Sequence, residues 1–584
     1  MNAAKEIWRE IIARAIHEET GVEMDPAQIV LENPPRPELG DLAFPMFPYA
    51  RVFRKSPQQI AELLAEKIGS GIGKQQEEDR LVVSGPYLNV HLYRPELVNN
   101  ILAVVRGEEK RFGLDSFLAG QKIVVEFSCP NTNKPLHLGH LRNDALGMSV
   151  ARLLQACGAE VRKVNLINDR GIHICKSMLA YQKFGSNTTP ESAQVKSDHL
   201  VGDFYVRFND WASRDESAEP AVRSMLQSWE AGDEELRELW QTMNRWAIEG
   251  IEETYAKTGV SFDQVYFESE TYLLGRDEVL KGLEEKVFTR DDDGSVWVDL
   301  TDDDLDRKVL LRSDGTSLYL TQDIGTAVQR HRDWPFDRMI YVVASEQRYH
   351  FAVLFKVLEL LGHTWSANLH HLAYGMVNLP QGRMKSREGT VVDADDLLAE
   401  LGSLALQELR DKEREEAIDD LEQTAENVAL AALNYYLLQV SPYKDMIFNP
   451  AESISFTGNT GPYLQYTGAR ICSMLRKFKE RFERYSGGSL KPELLAQPEE
   501  WQLVKQLAAF PPTLAQAARE LNPALITAFL FELAKSYNGY YHDHPVLHNE
   551  DSDLVVSRIE LAKAVLQVLK NGFALIGVPF LEVM

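Results

Sequence analysis

The feature that most constrains this chain is a run of roughly 45 residues beginning at Lys122. Lys122 to Phe127 is a short apolar run of strand type. A Pro/Asn-rich loop, Cys129 to Pro135, follows it, then a largely apolar stretch from about His140 to Ala156 that suits a helix. Gly158 stands where a helix C-terminal glycine belongs, and Glu160 to Ile167 reads as a second strand. Strand, loop, helix and strand in this order make a βαβ unit, the building block of a parallel sheet. A parallel sheet needs helices on its faces, so this run commits the surrounding chain to an α/β domain.

The rest of the chain flanks that unit with different material. The 584 residues correspond to about four domain-sized units. With 44% hydrophobic and 26% charged residues, a disordered chain, a collagen-like repeat and a disulfide scaffold are excluded. Residues up to about 110 predict a small α+β domain. It has a helix over Ile7 to His17, turns over Asn33 to Asp41, a helix over Ser56 to Ile68, a charged turn at Gln75 to Arg80 and a strand-like run at Leu81 to Leu92. Residues 111–400 predict the parallel-sheet domain of Rossmann type. A polar, helical insertion occupies about 185–300, and strand–helix alternation resumes at Val309 to Tyr319, Met339 to Ala344 and His371 to Val377. Residues 401–584 read as all-α.

Charge and cysteine content narrow the setting. Lys5, Glu6, Arg9, Glu10 and Arg14 interrupt the first segment, unlike a cleavable signal peptide, and no run of about 18 uncharged apolar residues occurs to span a membrane. Cys129, Cys157, Cys175 and Cys472 are scattered without a CxxC pair, which argues against structural zinc and for a reducing, cytoplasmic setting. The net charge of −25 argues against non-specific nucleic-acid binding, yet leaves room for a specific RNA met through local basic strips.

Two strings carry chemistry. Pro135-Leu136-His137-Leu138-Gly139-His140 lies at the turn from the first strand into its helix. Ligands of open α/β sheets bind at the carboxyl ends of strands, where a helix N-terminus offers free N–H groups to phosphate. His137 and His140 are three apart and can face one point, and Gly139 leaves room for a flat ring. Two imidazoles donating to a phosphate suit phosphoryl or nucleotidyl transfer. A bland alternative is a pair of polar helix caps. The second string, Gly382-Arg383-Met384-Lys385-Ser386-Arg387-Glu388-Gly389, sets three cations between glycines, fit to close over a polyphosphate or to be a solvated basic turn.

Together the strings resemble the HIGH and KMSKS signatures of class I aminoacyl-tRNA synthetases. Val125-Glu126-Phe127-Ser128-Cys129-Pro130-Asn131 with Lys134, Ser317-Leu318-Tyr319-Leu320-Thr321-Gln322-Asp323 and Tyr341-Val342-Val343-Ala344-Ser345-Glu346-Gln347 resemble the arginyl-tRNA synthetases. Thr457 to Tyr466 is similar to the start of that family's helical anticodon-binding domain, and Gly40-Asp41 and Gly85-Pro86-Tyr87 fit its additional N-terminal domain, which contacts tRNA.

The resemblance implies an arginine–tRNA ligase using ATP, with Mg2+ on the nucleotide, tRNA(Arg) as partner, and a monomer without membrane attachment. It implies guanidinium recognition by Asp323, Glu126 and Tyr319, and an amino-acid end held by Asn131, Gln347 and His137. ATP contacts are implied at His137, Gly139, His140, Arg383, Met384, Lys385 and Ser386, with His137, His140, Lys134 and Lys385 catalytic. Ser386 stands where the second KMSKS lysine is usual, and Lys134 is the compensating cation. Cys129 replaces a frequent serine and Arg170 a frequent tryptophan. Tyr463, Tyr466, Tyr537 and Tyr541 are candidate platforms for unstacked anticodon bases. The His542, Asp543, His544, His548 cluster lacks a known metal-ligand spacing. Rival readings are a shorter HxGH nucleotidyltransferase, which would not need the helical C-terminal section, and a non-catalytic tRNA-binding relative. Intact His137, His140, Asn131 and Asp323 argue against the latter, and a cysteinyl enzyme would need zinc-ligand cysteines.

Overall fold

The computed structural model describes residues 2–69, 79–185, 187–314, 318–378, 380, 392–412 and 418–584. They form two compact units, one of residues 1–112, 471–511 and 532–569, the other of 113–470, 512–531 and 570–584. The second string and most of the charged turn at 75–80 lie outside the described residues.

In the first unit, α1 (Asn2–Thr20), α2 (Pro57–Lys67) and α3 (Arg94–Glu108) accompany an antiparallel sheet of β1 (Leu42–Pro45), β2 (Arg80–Ser84) and β3 (Tyr87–His91), in the order β1-β3-β2. Ser56 opens α2 with a reciprocal cap. Its Oγ accepts from the Gln59 N–H at 3.3 Å, while Gln59 Oε1 accepts from the Ser56 N–H at 3.1 Å. The single run expected at Leu81 to Leu92 is instead a hairpin, turned at Gly85 with φ +56. The turn signal is Ser84-Gly85-Pro86, which divides the run into two strands. Trp8, Ile12, Ile16, Phe44, Leu64, Leu88 and Val90 make the core.

The second unit is built on five parallel strands, β4 (Lys122–Glu126), β5 (Glu160–Ile167), β6 (Gln264–Phe267), β10 (Arg338–Ala344) and β11 (Leu369–Tyr374), in the order β11-β10-β4-β5-β6. The order reverses between β4 and β10, and such a switch point opens a crevice at the strand ends. Helix α4 (Leu138–Ala156) links β4 to β5. A Cβ on Gly147 would sit 2.2 Å from Phe127, so glycine lets this helix press onto the sheet.

Three helices, α6 (Ser197–Ala212), α7 (Ala218–Ala231) and α8 (Glu234–Thr258), follow α5 (Ile172–Phe184) as the insertion. That insertion ends earlier than expected, because Gln264–Phe267 is a strand of the main sheet, too short to show a period of its own. Val309 to Tyr319 is also corrected. Among the described residues there, only β9 (Lys308–Leu311) is strand, in a separate small sheet with β7 (Thr289–Arg290) and β8 (Val296–Val298), and Tyr319 opens a helix. After α9 (Leu274–Glu284) come α10 (Tyr319–Asp333) and α11 (Arg348–Leu360), which flank β10.

The chain then turns helical, with α12 (Ala394–Asp411), α13 (Leu421–Leu438), α14 (Gly461–Glu480), α15 (Pro498–Glu520), α16 (Ala524–Asp543) and α17 (Ser552–Ile576). Its last residues, 570–584, belong to the second unit and are bonded within it. The Leu575 carbonyl accepts from Ser149 Oγ at 2.9 Å, Gly577 from Asn434 Nδ2 at 2.7 Å and Pro579 from Gln465 Nε2 at 2.8 Å. Among the described residues no helix is long and apolar enough to cross a membrane.

Candidate active site

The crevice at the switch point holds a cavity of about 760 Å³, lined among others by Asn131, Lys134, His137, Gly139, His140 and Gln347. The strand ends are fixed by one side chain. Asn143 Oδ1 accepts from the Ser128 N–H at 2.6 Å, while its Nδ2 donates to the Val342 carbonyl at 2.9 Å and to Tyr374 at 3.1 Å. Asn143 thus joins β4, β10 and β11 across the switch point. Ser128 (φ +72) and Cys129 (φ +49) are consecutive left-handed residues that are not glycine, a conformation costing on the order of 1–3 kcal/mol each. Asn143 and Asn165, which accepts from the Cys129 N–H at 3.0 Å, hold them there. Burial pushes the Cys129 thiol well up, so it stays neutral.

His137 and His140 cap α4 with their rings. His137 Nδ1 accepts from the Gly139 N–H and His140 Nδ1 from the His137 N–H, both at 3.1 Å. An imidazole that accepts at Nδ1 carries its proton at Nε2. Both rings are therefore neutral Nε2–H donors, with centroids 3.9 Å apart. Burial, helped by the Lys134 charge, lowers His137 to about 4; burial, then His137 and Lys134, holds His140 well below the usual imidazole value. The ring for which Gly139 makes room is that of His137 itself, since a Cβ there would lie 2.9 Å from its Cε1. Capping, one of the two alternatives the sequence left open, uses Nδ1 of each ring and leaves Nε2–H of each as a possible donor.

Lys134 lines this cavity and a second one of about 440 Å³ beside α6. Burial lowers its pKa, and among the described residues no carboxylate comes within ion-pair range of it.

The residues expected to read a guanidinium are arranged unequally. Glu126, at the end of β4, is 5% exposed and ion-paired with Arg330 of α10, itself 2% exposed. Burial raises the Glu126 pKa against the pull of Arg330, and Asp323 adds to the rise. Asp323 is half-buried and its Oδ2 meets His350 Nε2 at 2.6 Å. Tyr319, four residues earlier and one turn up α10, is 72% exposed. Arg330, His350 and Asn143 were not singled out from sequence. His350, three residues after Gln347 on α11, had the clearest signal.

Arg170 stacks on Tyr272, 3.8 Å from the ring centre, and pairs with Glu230. Lys385, Arg383, Met384 and Ser386 lie outside the described residues. Tyr537 is fully buried with its hydroxyl 3.9 Å from Met474 Sδ, so it offers no face to a base and that expectation is corrected. Tyr463, Tyr466 and Tyr541 are half-buried. Among the described residues one group has side chains close enough to hold a metal ion, Asp198, His199 and Asp395. Lys196 already donates to Asp395 at 2.6 Å and Lys257 at 2.9 Å, so the chain supplies its cations.

Comparison with known proteins places these features in a family. Residues 105–450 match the family described as tRNA synthetases class I (R), catalytic domain; residues 464–584 match the DALR anticodon binding domain; residues 6–92 match the arginyl tRNA synthetase N terminal domain. The chain is 55% identical to an arginine–tRNA ligase of Treponema denticola over the whole of both chains, and 43% identical to that of Borrelia hermsii over 99% of each. Its fold matches Thermus thermophilus arginyl-tRNA synthetase with a TM-score of 0.79 and 28% identity, covering 99% of this chain and 100% of that one.

Proposed function

The chain belongs to the arginyl-tRNA synthetases, and from that premise we propose how its own residues divide the work of an arginine–tRNA ligase. The arginine carboxylate attacks the α-phosphate of ATP in line, forming arginyl-adenylate and releasing pyrophosphate. The terminal ribose hydroxyl of tRNA(Arg) then attacks the carbonyl of the mixed anhydride and AMP leaves.

The observation that carries this reading is the gathering of Lys134, His137 and His140 on one cavity at the switch point. Neutral Nε2–H donors aimed at a phosphate stabilise charge as it develops and need no reorganisation. Lys134 supplies full charge toward the leaving pyrophosphate, and Lys385, with Arg383, Met384 and Ser386, holds that side from the second string. Asn131 and Gln347 hold the amino-acid end. Asp323 meets the guanidinium from the accessible side under Tyr319. Glu126, neutralised by Arg330, contributes an oxygen beneath it. A site built of such polar groups rejects side chains lacking their partners by large factors, so no editing is required.

Glu346 is the one carboxylate on the cavity wall among the described residues, which fits Mg2+ carried on ATP and not a protein cage. Bound there, the ion neutralises phosphate charge. Tyr463, Tyr466 and Tyr541 remain candidate anticodon contacts, and the chain acts as a cytoplasmic monomer. ATP–pyrophosphate exchange, run with each amino acid with and without total tRNA, tests the reading. Exchange should need arginine and tRNA together; exchange with lysine instead would sink the arginine assignment.

A further inference from the structure

We propose that His350 is a positioning residue that holds Asp323 for the substrate's guanidinium and gives up a proton to solvent when arginine binds. The inference rests on the reading that Asp323 meets the guanidinium.

The geometry sets a single carboxylate between two cations. Asp323 projects from the second turn of α10, one turn after Tyr319, and His350 from the first turn of α11. Their 2.6 Å contact uses Asp323 Oδ2 and His350 Nε2. A carboxylate has about four lone-pair positions, so Oδ1 stays free for a second donor. Both side chains keep about a third of their surface, 35% for Asp323 and 30% for His350, and remain reachable from solvent.

The surroundings decide how charge is balanced. Glu126 and Arg330 already neutralise each other. Tyr341 of β10 lies among these charges with its hydroxyl held neutral by burial, and Glu268, which precedes α9, feels Asp323 and is pushed up to about 7 chiefly by burial. From β11, His371 is lowered, first by burial and then by the nearby Arg348 and His350 charges. Phe351 packs edge-on against the His350 ring. The contact with Asp323 raises the His350 pKa against its burial, which favours imidazolium over neutral ring in the empty site. An arriving guanidinium places a second full cation on that carboxylate; among the described residues, Glu126 is already paired with Arg330 and burial favours the neutral form of Glu268. The labile charge is the Nδ1 proton of His350. Its loss leaves a neutral ring whose Nε2–H still donates to Asp323, so orientation survives while repulsion disappears. Linkage fixes the sign: binding that releases a proton tightens as pH rises, by at most about one decade per pH unit.

The test is tRNA charging by the intact chain from pH 6 to 8.5 at saturating ATP and tRNA, with KM for arginine and for ATP measured separately. The wild type should show the arginine KM falling about 3- to 10-fold across this range while the ATP KM stays level. His350→Gln, whose amide can still donate to Asp323, should flatten the arginine profile, and His350→Ala should raise the arginine KM at every pH. A His350→Gln profile as steep as the wild type overturns the proposal. Asp323→Asn separates the two layers. If it leaves the arginine KM unchanged, the reading of Asp323 itself fails. If it raises that KM while His350→Gln keeps the wild-type slope, only the role of His350 fails.

Discussion

Replacing Lys134 with alanine should move activity and stability in opposite directions. The ammonium faces the cavity beside His137, is desolvated enough to lower its pKa, and has no carboxylate partner among the described residues. A charge kept in that state costs the folded protein free energy, which the nucleotide's phosphates recover only when bound. Removing a preorganised donor from a developing oxyanion costs about 2.7–4 kcal/mol, or 10²–10³ in rate. Lys134→Ala should therefore lower adenylation kcat by that order, leave the arginine KM nearly unchanged and raise Tm at neutral pH. The pH profile supplies a second signature. Because the folded pKa lies below the usual 10.5, the rate carried by this charge is present at neutral pH and lost as pH rises through the lowered value; Lys134→Arg should shift that loss upward. Adding Ser386→Lys to Lys134→Ala should restore part of kcat. Arginine-dependent ATP–pyrophosphate exchange with tRNA present and a thermal melt measure both quantities. A Lys134→Ala enzyme with wild-type kcat would show that the lysine takes no part in the step and that Lys385 or Arg387 supplies the charge.

Two further outcomes follow from buried charge. Arg330→Met strands the Glu126 carboxylate and should destabilise the protein by about 3–5 kcal/mol, whereas Glu126→Gln with Arg330→Met should recover most of it; urea denaturation with equal losses in both would refute the pairing. Where α6 meets the start of α12, the Asp395 contact raises the His199 pKa against burial, so its contribution is full below about 6.5 and is lost as pH rises through the folded value. Burial alone would raise Asp395, but the nearby His199 and hydrogen bonds from Lys196 and Lys257 hold it well below the carboxylate range. Asp395→Asn should lower the His199 midpoint in an NMR titration, and an unchanged midpoint would show that Asp393 sets it.

What the sequence determined by itself was local in origin. The βαβ unit, the helix cap at His137, the close approach at Gly139 and the Tyr319–Asp323 spacing depend on residues a few positions apart, where backbone periodicity leaves few choices. Tertiary structure decided which of those groups is available. Glu126 and Asp323 read as equivalent carboxylates in the chain, yet Arg330 neutralises one and His350 holds the other within reach of solvent. Tyr537 and Tyr541 sit one helical turn apart, and only packing puts the first in the core. Lys134 looks like any loop lysine until the fold lines a cavity with it. Burial and charge pairing set these distinctions, because the cost of a charge depends on every atom around it, most of which arrive from distant parts of the chain.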